Sequence, residues 1–366
     1  GDTINYFDSA NAYSNLFFKN NSDFWTAWLG DPKGQYFHFD ETTGYPVYSG
    51  RDSAAYFVVR LLIPIVMLGC HSYFATAVLV ALVTYGGMWK LYQTFLLEFP
   101  ELKKEFAIAC LFIPSCVFWG SGLMKDSFTL SAVGWFTYAF YHFFIKKQRK
   151  ISFGLFLFIA AFVILAIKPY IFFALLPGCI LWLSNNATKK IKHQFIRLIA
   201  SPVLLSLGLL IGYITLANMG DNLGQYKIDK VLDKAVVTQQ DMKADHYGGK
   251  AFDIGNFDNS LGGVLSVAPM AVFSGLFRPG LWDARNAVML ISSLENTYLL
   301  ILSLFLLWKL KFLGFFLLIG KNPMLLFCML FSLFFAFSVT VTILLFLECA
   351  ALNDEIWQLL KLPFHF

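Results

Sequence analysis

The stretch "WGSGLMKDSFTL" (residues 119–130) sets a lysine beside an aspartate between two apolar runs, 106–118 and 128–145. A charge next to hydrocarbon is expensive, so an ionisable residue there is a functional candidate by default. Lys125 offers a cation and Asp126 a hydrogen-bonding carboxylate, and the "GSG" just before them lets the backbone approach a ligand closely. The same pair could do no more than cap a helix beginning near Ser127, because an aspartate favours a helix N-terminus. Both readings stay open at this point.

Four other places carry chemistry-bearing side chains. Asp2 and Asp8 lie in "GDTINYFDSANAY". They are either solvated acids, or a general base for a hydroxyl acceptor, or ligands of a possible divalent metal. The segment "LFRPGLWDARNAVMLISSLENTYLL" (276–300) holds Arg278, Asp283, Arg285, Asn286 and Glu295. Two arginines flanking a Pro-Gly kink could grip a phosphate by bidentate contact, or the segment is an interfacial Trp/Arg anchor. Glu295 follows Asn286 by nine residues, about 13 Å along a helix, and is expected to face the bundle interior and pair with a polar group. Lys168 and Arg60 read either as snorkelling cations or as further phosphate contacts. The histidines show no metal-ligand spacing and the cysteines no CxxC pair, so the cysteines read as small apolar packing residues. A phosphate-binding glycine loop, a GxSxG motif and an internal repeat are all absent from the sequence.

The elements that must position these residues are membrane helices. Of 366 residues, 58% are hydrophobic and 14% charged, with a mean hydropathy of +0.62. A soluble domain is nearer 45–50% apolar and roughly 25% charged, so the composition is that of an all-α, multi-pass integral membrane protein. Its net charge of +5 collects largely in "KKQRK" (146–150) and "KKIKHQFIR" (189–197), as topology signals do, and does not imply nucleic acid. Apolar runs at 54–70, 73–97, 106–123, 127–145, 151–167, 169–184, 198–217, 263–277, 287–308 and 322–348 predict a bundle of about eight spans plus interfacial or re-entrant helices. The predicted organisation is an extracytoplasmic loop at 1–53, a transmembrane bundle at 54–217, a second outer loop with a re-entrant segment at 218–285, and C-terminal transmembrane helices at 286–366.

Both basic clusters are expected to face the cytoplasm. Counting crossings back from "KKQRK" puts "PELKKE" (100–105) inside and Lys125-Asp126 at the outer surface. The acidic opening segment is outside only if one early run fails to cross. The run 54–70, short and holding Arg60 and Pro64, is expected to lie at the outer interface or to re-enter. A start at Gly1 without a signal peptide leads us to expect an upstream segment, such as a membrane helix.

With those residues in view, the chain resembles the C-superfamily of membrane glycosyltransferases, multi-pass enzymes that take sugars from a lipid-phosphate donor. The likeness is one of layout: an acidic motif in the first outer loop ("GDTINYF"), an arginine-bearing interfacial helix ("YFVVRLL", 56–62), and a Pro-to-Asp segment between later helices ("PSCVFWGSGLMKDS", 114–127). It is more similar still to a bacterial multi-pass group with "FWGSG-x-x-KDS" and "LFRP-x-x-W-x-A-R-N…LEN" stretches, matched at 118–127 and 276–296. The resemblance implies a base in the first outer loop, here Asp2 or Asp8, although the usual acidic pair is missing. It also implies location in the bacterial cytoplasmic membrane and a region continuing beyond "LNDEIWQLLKLPFHF".

The expected function is therefore a glycosyltransferase or glycan polymerase using a polyprenyl-phosphate-linked sugar at the outer face. Its partners would be the lipid-linked donor, a glycan, lipid or protein acceptor, and membrane lipid. Lys125, Arg278 and Arg285 would steady the departing phosphate. Two alternatives remain: a transporter or flippase of lipid-linked glycans, and a non-catalytic scaffold in an export complex.

Overall fold

The computed structural model describes residues 2–30, 35–47, 53–188, 261–284 and 286–342. Among them every regular element is helical. The chain divides into two compact units, Gly1–Pro169 and Tyr170–Phe366, and each is described by itself. Two helices, Tyr73–Glu98 and Met289–Phe315, are long and apolar enough to cross a membrane, and a third span results if the bent pair Lys103–Phe112 and Pro114–Ser121 counts as one. By length and composition the described residues thus yield two or three spans, fewer than the eight expected. The run 198–217 and most of the acidic loop after it lie outside the described residues.

The opening segment, read from the sequence as a loop, is helical. Helix α1 (Asp2–Lys19) begins with an acid and ends with a base, as the helix dipole favours. It buries Tyr6, Ala10, Tyr13 and Leu16, a helical stripe. Helix α2 (Asn21–Leu29) is capped by Asn20, whose side chain accepts from the N–H groups of Ser22 and Asp23. Helix α3 (Ser53–Leu68) lays Tyr56, Val59, Leu62, Ile63 and Val66 against α1. A buried relay ties the three together: the Tyr13 hydroxyl donates to the Tyr56 hydroxyl at 3.0 Å, which donates to the Ala27 carbonyl at 2.7 Å.

The membrane-type helices of this unit follow. Helix α4 (Tyr73–Glu98) is succeeded by α5 (Lys103–Ala107), a π-helical turn (Ile108–Phe112) and α6 (Pro114–Ser121), which bends by 46° at its junction with the turn. The bend falls at Pro114, whose ring occupies the first helical position. Helix α7 (Lys125–Phe140) and helix α8 (Ile151–Ile167) come next. Threonines in these apolar helices satisfy their hydroxyls within the helix: Thr129 donates to the Lys125 carbonyl at 2.7 Å, and Thr137 to that of Val133 at 2.8 Å.

In the second unit, α9 (Pro169–Thr188), α10 (Leu261–Phe277), α11 (Ala287–Lys321) and α12 (Pro323–Thr342) are described. Gly178 and Trp182 of α9 meet Phe327 of α12, and Tyr170 stacks near Phe335, so these two helices run antiparallel. Helix α11 breaks at Lys311, whose φ of 57° is left-handed, just past Trp308 and Lys309.

Candidate functional site

The first unit brings together two of the sequence candidates. The Lys168 ammonium meets the Asp126 carboxylate at 2.5 Å, with side chains 8% and 14% exposed. Local sequence explains each position. Asp126 sits in the first turn of α7, where a negative charge is favoured. Lys168 is the C-cap of α8, at the negative end of that helix, and holds a non-helical backbone because Pro169 follows it. Two helix ends of opposite polarity therefore meet, and their charges pair.

The second oxygen of Asp126, Oδ2, is buried and accepts no hydrogen bond. The hydroxyl nearest in sequence is already committed: Ser127 donates to the carbonyls of Trp119 at 2.9 Å and Gly122 at 2.6 Å. That double bond to the backbone folds the "GSG" turn against the start of α7. A buried acceptor left unsatisfied costs about 1–3 kcal/mol, so this oxygen is an expense with no evident structural return.

The depth of the pair follows from helix register. Gly87 abuts Ser131 and Gly134, and the Tyr141 hydroxyl donates to Glu98. Helices α4 and α7 are thus parallel, with an α7 residue opposite one roughly 45 lower in number. Asp126 lies opposite about residue 81, some 12 Å inside the start of α4 at 1.5 Å per residue. Leu123, Phe128 and Ile167 join the same buried cluster as Tyr6, Tyr56 and Leu62. The start of α7 and the end of α8, where the ion pair forms, therefore pack against α3, which in turn packs on α1. At the far end, Lys146 lies 3.9 Å from Glu98, and Tyr92 reaches the Lys103 carbonyl, so "PELKKE" and "KKQRK" share that end, as the sequence led us to expect.

The remaining candidates are distributed elsewhere. Asp2 and Asp8 are exposed on α1. Six residues apart, they point about 120° away from one another around the helix, and among the described residues no group of three His, Cys, Asp or Glu is placed to hold a metal ion. This pair does not fit the divalent-metal site that was considered, and no step below runs through one. Although solvent reaches Asp8, the protein around it displaces enough water to raise its carboxyl above the ordinary value. Arg60 donates to the Gly30 carbonyl at 3.0 Å and lies 4.2 Å from the centre of the Tyr56 ring, so it closes the end of α2 as well as offering charge.

The second unit holds the other group. Arg278 donates through Nε and Nη2 to Asp283 at 3.0 and 2.6 Å, a bidentate pair across the Pro-Gly turn. The same carboxylate accepts from the Gly280 N–H. Asn286 caps α11 by accepting from the Met289 N–H at 2.8 Å, so Glu295 sits within α11 as expected and is half-buried there. Arg285 lies outside the described residues. Sequence reasoning missed the Arg278–Asp283 and Lys168–Asp126 pairings and the part of Ser127. The five-residue spacing across Pro-Gly was a usable signal for the first of these.

No protein-family model matches this chain, and no curated protein or solved structure matches it either.

Proposed function

We propose that this chain is a multi-pass membrane glycosyltransferase or glycan polymerase, taking a sugar from a polyprenyl-phosphate carrier at the outer face of a bacterial cytoplasmic membrane. The observation that carries the reading is the buried Lys168–Asp126 pair, beside Lys125, where the ends of α7 and α8 pack against α3. Sugar transfer from a lipid phosphate needs cations for the departing phosphate and a carboxylate for the acceptor proton, close to where the lipid enters. Lys125 would steady the phosphate. The resemblance offers Asp2 and Asp8 as the base, but sugar transfer itself needs only a carboxylate placed to take the acceptor proton. The lipid tail would lie along exposed apolar faces such as Phe74, Val78, Leu82, Tyr85 and Trp89 on α4.

The test is transfer of radiolabelled sugar from lipid carrier in membrane vesicles, comparing wild type with Asp2→Asn, Asp8→Asn and Lys125→Ala. Loss in Lys125→Ala is expected, and the two aspartate variants report whether either acid of α1 takes part; equal turnover in all four rejects this site.

A second reading, a flippase or transporter of lipid-linked glycans, is favoured by two observations: the broken pair around Pro114 and the depth of the ion pair. Discontinuous helices with charges inside the bilayer are the usual layout of transporters. Movement of a fluorescent lipid-linked glycan across vesicles without chemical change would support it.

A further inference from the structure

We infer that Asp126, rather than Asp2 or Asp8, receives the hydroxyl of the incoming acceptor and takes its proton; this rests on the sugar-transfer reading above. Three observations converge on Asp126. One of its oxygens is fixed by Lys168 at 2.5 Å, which sets the carboxylate's orientation. The other, Oδ2, is buried without a donor, while Ser127 next door spends its hydroxyl on two backbone carbonyls. Asp2 and Asp8, by contrast, are exposed and point about 120° apart around α1. A base must stand within hydrogen-bonding reach of the proton it removes and be held there. The buried, half-satisfied carboxylate meets the second requirement, and its open valence is what an alcohol O–H would fill.

The acceptor oxygen forms a bond to the anomeric carbon of the donor sugar as its proton passes to Asp126 Oδ2. The bond from that carbon to the carrier phosphate oxygen breaks, and its electron pair leaves with the phosphate. Asp126 then returns the proton to water. Oδ2 is covered in this structure, so the hydroxyl reaches it through a local opening of the protein around it.

The test uses the full chain in lipid vesicles, with Asp126→Asn, the exchanged pair Asp126→Lys/Lys168→Asp, and the double variant Asp2→Asn/Asp8→Asn. Asp126→Asn and the exchanged pair should each lose at least about 100-fold in transfer, the low end for a general base. The exchanged pair keeps the ion pair but opposes both helix dipoles, so it should unfold below the wild-type temperature yet above Lys168→Met, and Asp2→Asn/Asp8→Asn should stay within a few-fold of wild type in transfer. If the exchanged pair restores transfer, Asp126 is only a positioning residue and the inference falls. It falls equally if Asp126→Asn is active while Asp2→Asn/Asp8→Asn is dead. A second arm needs no turnover. A hydrophobic carbodiimide should label Asp126, and octyl glucoside below its micelle concentration should block labelling where octyl sulfate does not. If wild type transfers nothing, the sugar-transfer reading fails, and this arm still decides whether a hydroxyl-bearing ligand occupies Asp126. Labelling unchanged by octyl glucoside overturns the inference outright.

Discussion

Adjacent glycines on α4 allow a sharp test of the register that sets the depth of the ion pair. A methyl group added at Gly87 would meet the Cα and Oγ of Ser131 at 2.5 Å, besides its backbone carbonyl. At Gly86 the nearest atom to such a methyl is Trp135 Nε1 at 3.9 Å, an ordinary contact. Gly86→Ala therefore gains helix propensity, up to about 1 kcal/mol, at no steric cost. Gly87→Ala gains the same but must push α7 away by roughly 1 Å to reach van der Waals distance. Overpacking of that kind costs about 1–3 kcal/mol, occasionally more. We expect Gly87→Ala to be less stable than Gly86→Ala by about 1–3 kcal/mol, measured by denaturant unfolding of the reconstituted chain. Gly134→Ala should behave like Gly87→Ala, since its methyl would meet the Gly87 carbonyl carbon at 2.5 Å. Equal stability of Gly86→Ala and Gly87→Ala would show that α4 and α7 do not cross at these glycines, and the depth assigned to Asp126 would go with it.

Other expectations follow from single contacts. Lys168→Met strands a buried carboxylate and should cost about 3–5 kcal/mol, whereas Lys168→Met/Asp126→Leu should recover most of the loss; the same unfolding assay reads both. Asp8 has a carboxyl raised above its ordinary value by burial, so the folded state holds the proton more tightly than the unfolded state. Its contribution is present below the ordinary carboxylate value and lost as pH rises through the raised one, and Asp8→Asn should flatten that part of the stability–pH curve. Arg278→Gln removes a charged bidentate contact to Asp283 and should destabilise the second unit by about 1.5–3 kcal/mol, seen as a lower unfolding temperature.

Much of the helical layout was legible because apolar runs and their interruptions report directly on the backbone. The break at Lys168-Pro169 was written by the proline, and the start of α11 by Asn286 with an apolar run behind it. The opening segment was misread because its low hydropathy hid a helical stripe: Tyr6, Ala10, Tyr13 and Leu16 repeat at helical spacing among polar residues. The run 54–70, expected not to cross, makes a helix, α3, that is buried against α1 and shorter than a span, while other runs, such as 198–217, lie outside the described residues. At the site, the sequence named Asp126 and Lys168 separately and put them at the same end. Their contact, 42 residues apart in sequence, depends on how α7 packs against α8, and no local pattern encodes that.

The phenol relay from Tyr13 through Tyr56 to Ala27 has a mechanical corollary. Tyr56 stands at the middle of the thread: losing its hydroxyl unties α1 from α3 and α3 from α2 together, whereas losing that of Tyr13 severs only the first join. Phenylalanine at Tyr56 should therefore let α1, α2 and α3 open as one cooperative foldon, seen as faster amide exchange there than in α4 and α7.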